Sequence, residues 1–280
     1  MVQTEKPISQ QLGTRRPGCI LSYNPKPILS HEAAMKYDRS EKKIDFSFIS
    51  IRRIFLLLIA ALLCYSCAFF IPIVFLLQVI KLLNFSYFTH IFLFSISVAF
   101  SYLLLVFSMM ISSALFIRLF RVRYGEGEYQ STIKDKISTK FILSYALYFP
   151  TYKVIDFLNL PPVKSLFLKM IGCKIGKNVV LGGGEWIFDP YVIEIGDNTT
   201  IGGRSLLTAH LGEGRLIIKK ITIGKNCLIG GDCFIMPGVI IEDNVVVGAK
   251  SLVLKDQILS TGKIYAGIPA HEISTAEPGT

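Results

Sequence analysis

Four histidines are scattered through the 280 residues, and one of them, His210, falls inside a long stretch of aliphatic residues spaced six apart. A neutral imidazole takes a proton from a hydroxyl or an amine, so a histidine on a regular scaffold is a candidate general base. Asp189 and Ala209 occupy the same third position, counted from Ile187 and Leu207. If those segments stack at strand spacing, about 4.8 Å, Asp189 lies beneath the residue next to His210. It can then orient the ring and select its tautomer. Asp189 also precedes Pro190, and a turn-forming role accounts for it too. Glu185, beside Trp186, falls at an inward position of the pattern, where a charge is costly unless paired. It is a further acid–base candidate. Metal chemistry finds little support. Cys19, Cys64, Cys67, Cys173, Cys227 and Cys233 contain one CxxC, Cys64 to Cys67, and it lies in an uncharged apolar run where helix packing explains it. A zinc site of the carbonic anhydrase kind needs three histidines, and His210 stands alone in the repeat.

The scaffold is legible in the spacing. Aliphatic residues recur at Ile175, Leu181 and Ile187, at Ile195, Ile201 and Leu207, and from Ile223 through Ile229, Ile235, Ile241, Val247 and Val253. Glycine often follows, as at Gly176, Gly202 and Gly224, and Asn178, Asn198, Asn226 and Asn244 hold the fourth position. The fifth is mostly small, Cys227 and Cys233 included, which makes those cysteines core residues. An α-helix does not keep a step of six, and a plain strand alternates by two. Short strands joined by tight turns do keep it, with Gly and Asn supplying left-handed backbone. Three strands close one coil, and coils stack into a parallel β-helix. The coils read as 175/181/187, then 195/201/207, then 217/223/229. The step from 187 to 195 is two residues too long and that from 207 to 217 four too long. Both excess loops leave the same corner, where sites commonly form.

The segment ITIGKNCLIGGDCFIMPGVIIEDNVVVGAKSLVLKD, followed by YAGIPA, resembles the closing coils and cap of the hexapeptide-repeat acyltransferases. KMIGCKIGKNVV, DPYVIEIGDN and TAHLGEGRL resemble membrane-attached members, among them exopolysaccharide acetyltransferases and the terminal domains of poly-lysine-type peptide synthetases. The resemblance covers 171–270 and implies a left-handed β-helix, an exception to right-handed crossovers. It further implies a homotrimer and an acyl-CoA donor, acetyl-CoA first. It puts the catalytic base on a loop leaving the coils, where His210 stands. Gly230, Gly231 and Gly248 would let a pantetheine arm lie along the coil edge. Lys250, Lys255 and Lys263 would meet its phosphates or remain solvated surface lysines. The family cap ends in Arg or Lys after G-N-P-A; here it reads Gly267-Ile268-Pro269-Ala270-His271, which departs at the nucleotide contact. The implied reaction is acyl transfer to a hydroxyl or amine of a glycan or lipid-linked acceptor. An amide-forming enzyme fed by a carrier-protein thioester and a non-catalytic β-helical scaffold are the other readings.

The front half is of another texture. The chain is 51% hydrophobic, and residues 54–80 and 90–117 hold no acidic or basic side chain apart from the starting His90. Each exceeds the roughly 20 residues that cross a bilayer. Their position and length disfavour a cleaved signal peptide. Arg52 and Arg53 precede the first, Arg118, Arg121 and Arg123 follow the second, and Lys81 alone lies between. The positive-inside rule then makes 46–123 a two-span hairpin of the cytoplasmic membrane, with both ends and the β-helix in the cytoplasm. The net charge of +10 flanks apolar segments and argues against nucleic acid as a partner. Residues 1–45 read as a disordered tail and 271–280 as a second tail. The stretch 124–170, broken by Pro150, Pro161 and Pro162, reads as interfacial helices or as packing helices under the β-helix.

Overall fold

The computed structural model describes residues 48–273; the polar stretch 1–45 and residues 274–280 lie outside the described part. Two long helices come first, α1 (Phe48–Leu82, 35 residues) and α2 (Phe88–Leu119, 32 residues). Each is about 50 Å long at 1.5 Å per residue. The two pack against each other through small side chains, and the Ser112 hydroxyl donates to the Cys64 carbonyl at 2.6 Å. Small residues and such hydroxyl bonds are what apolar helix pairs use to approach closely. Cys64 is buried in this seam, a packing residue. Outward, Leu58, Leu62, Phe70, Phe107, Ile111 and Leu115 are exposed. Both helices are long and apolar enough to cross a membrane.

The 124–170 region corrects the sequence reading. After a short strand, β1 (Gly127–Gln130), a single helix, α3 (Lys136–Leu158), runs through Pro150 instead of breaking there. Asp135 caps it, accepting from the Ile137 and Ser138 amides at 2.9 and 2.8 Å. Proline deprives the carbonyl four residues earlier of its partner. Tyr65 of α1 supplies the missing donor, 3.0 Å from the Ala146 carbonyl. Leu147, Tyr148, Tyr152 and Ile155 of α3 are buried, so α3 is a packing helix wedged between the apolar pair and the β-structure. A short helix, α4 (Pro161–Met170), closes the region.

Helices α2 and α4 end alike. In each, the second residue past the cap donates to a carbonyl five residues back, Val122 to Ile117 and Cys173 to Leu168, both at 2.9 Å. The residue before it must be left-handed. That residue is Gly172 after α4 and Arg121, at φ 48°, after α2. The non-glycine side chain there costs about 1 kcal/mol.

From residue 174 the chain is a parallel β-solenoid. Three columns of short strands stack in register, with Ile175, Ile195, Ile223, Ile241 and Leu259 on one face. Leu181, Ile201, Ile229 and Val247 follow on the second, and Ile187, Leu207, Ile235 and Val253 on the third. These residues point inward, and Cys227 and Cys233 are buried among them. Asn178, Asn198, Asn226 and Asn244 are left-handed, φ 54° to 60°, and their amides form a ladder at 3.1 to 3.3 Å. The third coil opens at Ile223 and not at residue 217. Ile217 keeps the six-residue step to Ile223 but lies in an antiparallel hairpin of β2 (His210–Glu213) and β3 (Arg215–Ile218), turned at Gly214. The hairpin edge pairs with β1, Glu128 opposite Ile217, so that strand competes successfully for residues the coil would otherwise take. The excursions at 189–192 and 208–220 leave the same corner on adjacent coils. The hairpin of the second is thereby tied to the chain that leaves α2.

Candidate active site

His210 opens β2 at this corner, and Asp189 opens the 3-10 turn Pro190–Val192 one coil below. Strand pairing aligns Ile187 with Leu207 and Phe188 with Thr208, which carries Asp189 to the level of Ala209. The His210 Nδ1 lies 2.6 Å from Asp189 Oδ2. Asp189 is wholly buried and left-handed, at φ 64°. It makes no capping bond to the turn it begins. Asp232 and Asp256 share this left-handed backbone in turns of the solenoid; what sets Asp189 apart is a buried carboxylate in contact with an imidazole. Its other oxygen accepts from the Tyr124 hydroxyl at 3.1 Å. Burial first, and then the Asp189 charge, hold the Tyr124 phenol well above its ordinary range, so this donor keeps its proton. Thr208 donates to the His210 carbonyl at 3.1 Å and fixes the ring's backbone.

A neutral ring that donates its Nδ1 hydrogen to this carboxylate leaves the Nε2 lone pair free. The ring is framed by Phe141, Tyr145 and Phe188, with centroids 5.0, 5.9 and 6.2 Å away. The aromatic strip continues along Phe149 to Trp186, and the Lys153 ammonium stands 3.1 Å from the Trp186 ring centre. The result is a half-buried imidazole beside a strip of mutually tilted aromatic rings. Sequence reasoning missed Tyr124, Thr208 and this strip. The signal was present in Phe141, Tyr145, Phe149 and Lys153, which recur every four residues on one helix face.

The other candidates stand elsewhere. Glu185 is wholly buried, and its partner is Lys164 of α4, whose ammonium lies 2.9 Å from Glu185 Oε1 and 2.5 Å from Asp156 Oδ1. No hydrogen bond joins Glu185 to His210 or Asp189. Gly230, Gly231 and Gly248 face neighbouring turns. A Cβ on Gly230 would stand 2.4 Å from the Ala249 amide nitrogen, and one on Gly248 2.9 Å from the Ala266 Cβ. Coil stacking alone therefore accounts for these two. Lys263 pairs with Glu272 at 2.7 Å, Lys255 lies 3.5 Å from Glu213, and Lys250 takes a left-handed turn position. The six do not converge with His210 into one pocket within this chain. Among the described residues no group of three His, Cys, Asp or Glu side chains could hold a metal.

Comparison with known proteins matches residues 220–253 to the family model described as the hexapeptide repeat of succinyl-transferase. The WcaF protein of Escherichia coli K12, by name a colanic acid biosynthesis acetyltransferase, is 31% identical over 132 residues, 38% of this chain and 71% of that protein. The chain belongs to the hexapeptide-repeat acyltransferase family. Galactoside O-acetyltransferase of the same organism is 37% identical over 107 residues, 35% of this chain, and the match spans 52% of its length. The delta-poly-L-ornithine synthetase of Acinetobacter baumannii is 25% identical over 105 residues, 37% of this chain but 8% of that enzyme. The match thus spans about half the length of one curated relative and a small share of another. Helix α3, whose Phe141 and Tyr145 flank His210, lies before the residues matched to the family model.

Proposed function

We propose that this protein is a membrane-embedded acetyltransferase that moves an acetyl group from acetyl-CoA to a hydroxyl or amine of a glycan or lipid-linked acceptor. The observation that carries the proposal is the 2.6 Å contact of His210 Nδ1 with a buried, strained Asp189. Nε2 takes the proton of the acceptor hydroxyl or amine as its oxygen or nitrogen bonds to the thioester carbonyl carbon. The tetrahedral intermediate collapses, the carbon–sulfur bond breaks, and the departing thiolate takes the proton back from Nε2–H. Asp189 stabilises the transient imidazolium, and Tyr124 keeps that carboxylate oriented. The aromatic strip supports a sugar-like acceptor. The likeness to WcaF, which spans most of that relative, favours acetyl-CoA over a carrier-protein thioester as donor. Purified protein given acetyl-CoA and an extracted glycolipid pool should release free thiol; absence of release above the acceptor-free blank contradicts the reading.

The apolar exteriors of α1 and α2, flanked by Arg52, Arg53, Arg118, Arg121 and Arg123, support a two-span hairpin with the β-solenoid on the cytoplasmic side of the inner membrane. The chain should stay with membranes through a carbonate wash, and cysteine labels placed in 171–270 should be reached only from inside. Release into the soluble fraction, or labelling from outside, refutes this.

Outward aliphatic residues on the coils, Val180 at 51% and Leu228 at 47% exposure in one column, support side-by-side association of three chains. The lysines at 250, 255 and 263 and the glycine edge then belong to a groove shared between neighbours. Light scattering in detergent should give the mass of three chains once detergent is subtracted. A stable and active monomer would refute the trimer.

A further inference from the structure

Between the ends of α2 and α4 lies a cavity of about 740 Å³ whose charge the acyl transfer leaves unused. Arg118, Arg121, Arg123 and Lys169 rim it, and Tyr124 and Tyr191 form its inner wall. Among the described residues none of these four cations has a carboxylate partner. The polar contacts of Arg118 and Lys169 are long, 3.5 Å to the Met170 carbonyl and 3.4 Å to the Gly176 carbonyl. Two helix C-termini meet here, each offering about half a negative charge, so four cations exceed what the helix ends need. Arg121 adds a second, independent observation. It holds the left-handed position that α4, alongside, gives to Gly172. A strained arginine persists where its side chain is needed.

We propose that this cavity binds the headgroup of a membrane lipid carrying a phosphomonoester or diphosphate. The four cations would supply charge-assisted hydrogen bonds to its oxygens. Arg118 lies in the last turn of α2, so the cavity opens where lipid phosphates lie once α2 spans the bilayer. The assignment rests on that membrane reading. Tyr124 belongs both to the cavity wall and, through its hydroxyl, to Asp189, so the headgroup sits one aromatic side chain from the catalytic pair.

Native mass spectrometry of the full chain in neutral detergent tests it, with phosphatidic acid, phosphatidylcholine of the same acyl chains, and inorganic pyrophosphate as probes. Phosphatidic acid should bind about tenfold more tightly than phosphatidylcholine. Arg121→Gly places the favoured residue at the helix end, so its melting temperature in lipid-free detergent should be unchanged or higher while lipid selectivity drops. With Arg123→Gln added, phosphatidic acid should bind no better than phosphatidylcholine. Equal binding of the two lipids by the unaltered chain, or undiminished selectivity in the well-folded double variant, overturns the proposal. So does pyrophosphate binding as tightly as phosphatidic acid, which would assign the cavity to a soluble phosphate. Release by carbonate would strike the membrane reading instead, so the two failures are distinguishable.

Discussion

His210→Ala should lower acetyl transfer by about 10²- to 10⁴-fold, the usual effect of losing a positioned general base. The fold should survive, because the ring is half-buried and its removal leaves the β2–β3 hairpin and its pairing with β1 in place. Asp189→Asn should cost less than His210→Ala, since the amide can still touch Nδ1. It can also offer a hydrogen instead of accepting one, and the ring then populates the tautomer with its lone pair turned away from the acceptor. Initial rates of thiol release by purified variants, with thermal melting as the folding control, check both. A well-folded His210→Ala protein of near-normal rate would move the chemistry to another residue.

Lys164→Met should be the most destabilising single change outside the solenoid core. Lys164 is about 1% exposed and is the cation facing the wholly buried Glu185. Breaking a buried pair from one side leaves an uncompensated charge and costs about 3–5 kcal/mol. For a chain of this size that is a fall in melting temperature of roughly 10 °C. The cost lies in the orphaned carboxylate, so adding Glu185→Met should recover much of it; Asp156 remains partly open to water. Thermal unfolding in detergent reads both variants. A double variant no more stable than Lys164→Met would show that Glu185 does more than pair with Lys164.

The solenoid was legible because every inward residue, left-handed turn and corner repeats in the sequence, so register errors are visible as broken steps. The corner holding His210 and Asp189 emerged that way. One step misled: residue 217 is six before Ile223 by coincidence, and nothing in the spacing shows that β1, far back in the chain, claims that segment. Partners from distant segments were invisible for the same reason. Glu185 read as an expensive inward charge, which it is, but Lys164 lies on another element. Pro150 read as a break because the Tyr65 hydroxyl that satisfies the freed carbonyl belongs to α1. The aromatic face of α3 was written in a step of four and was obscured by treating Pro150 as the end of the segment.

The most direct test of acetyl transfer by His210 compares cells that make the unaltered chain, cells that make His210→Ala at equal membrane abundance, and cells lacking the gene. Mass spectrometry of their glycolipids and surface polysaccharides reads the acceptor without knowing it in advance. An acetyl group should stand on one glycan or glycolipid of the first cells and be absent from the other two. That acetyl group at equal level in the His210→Ala cells, or no acyl difference between any of the three, would contradict it.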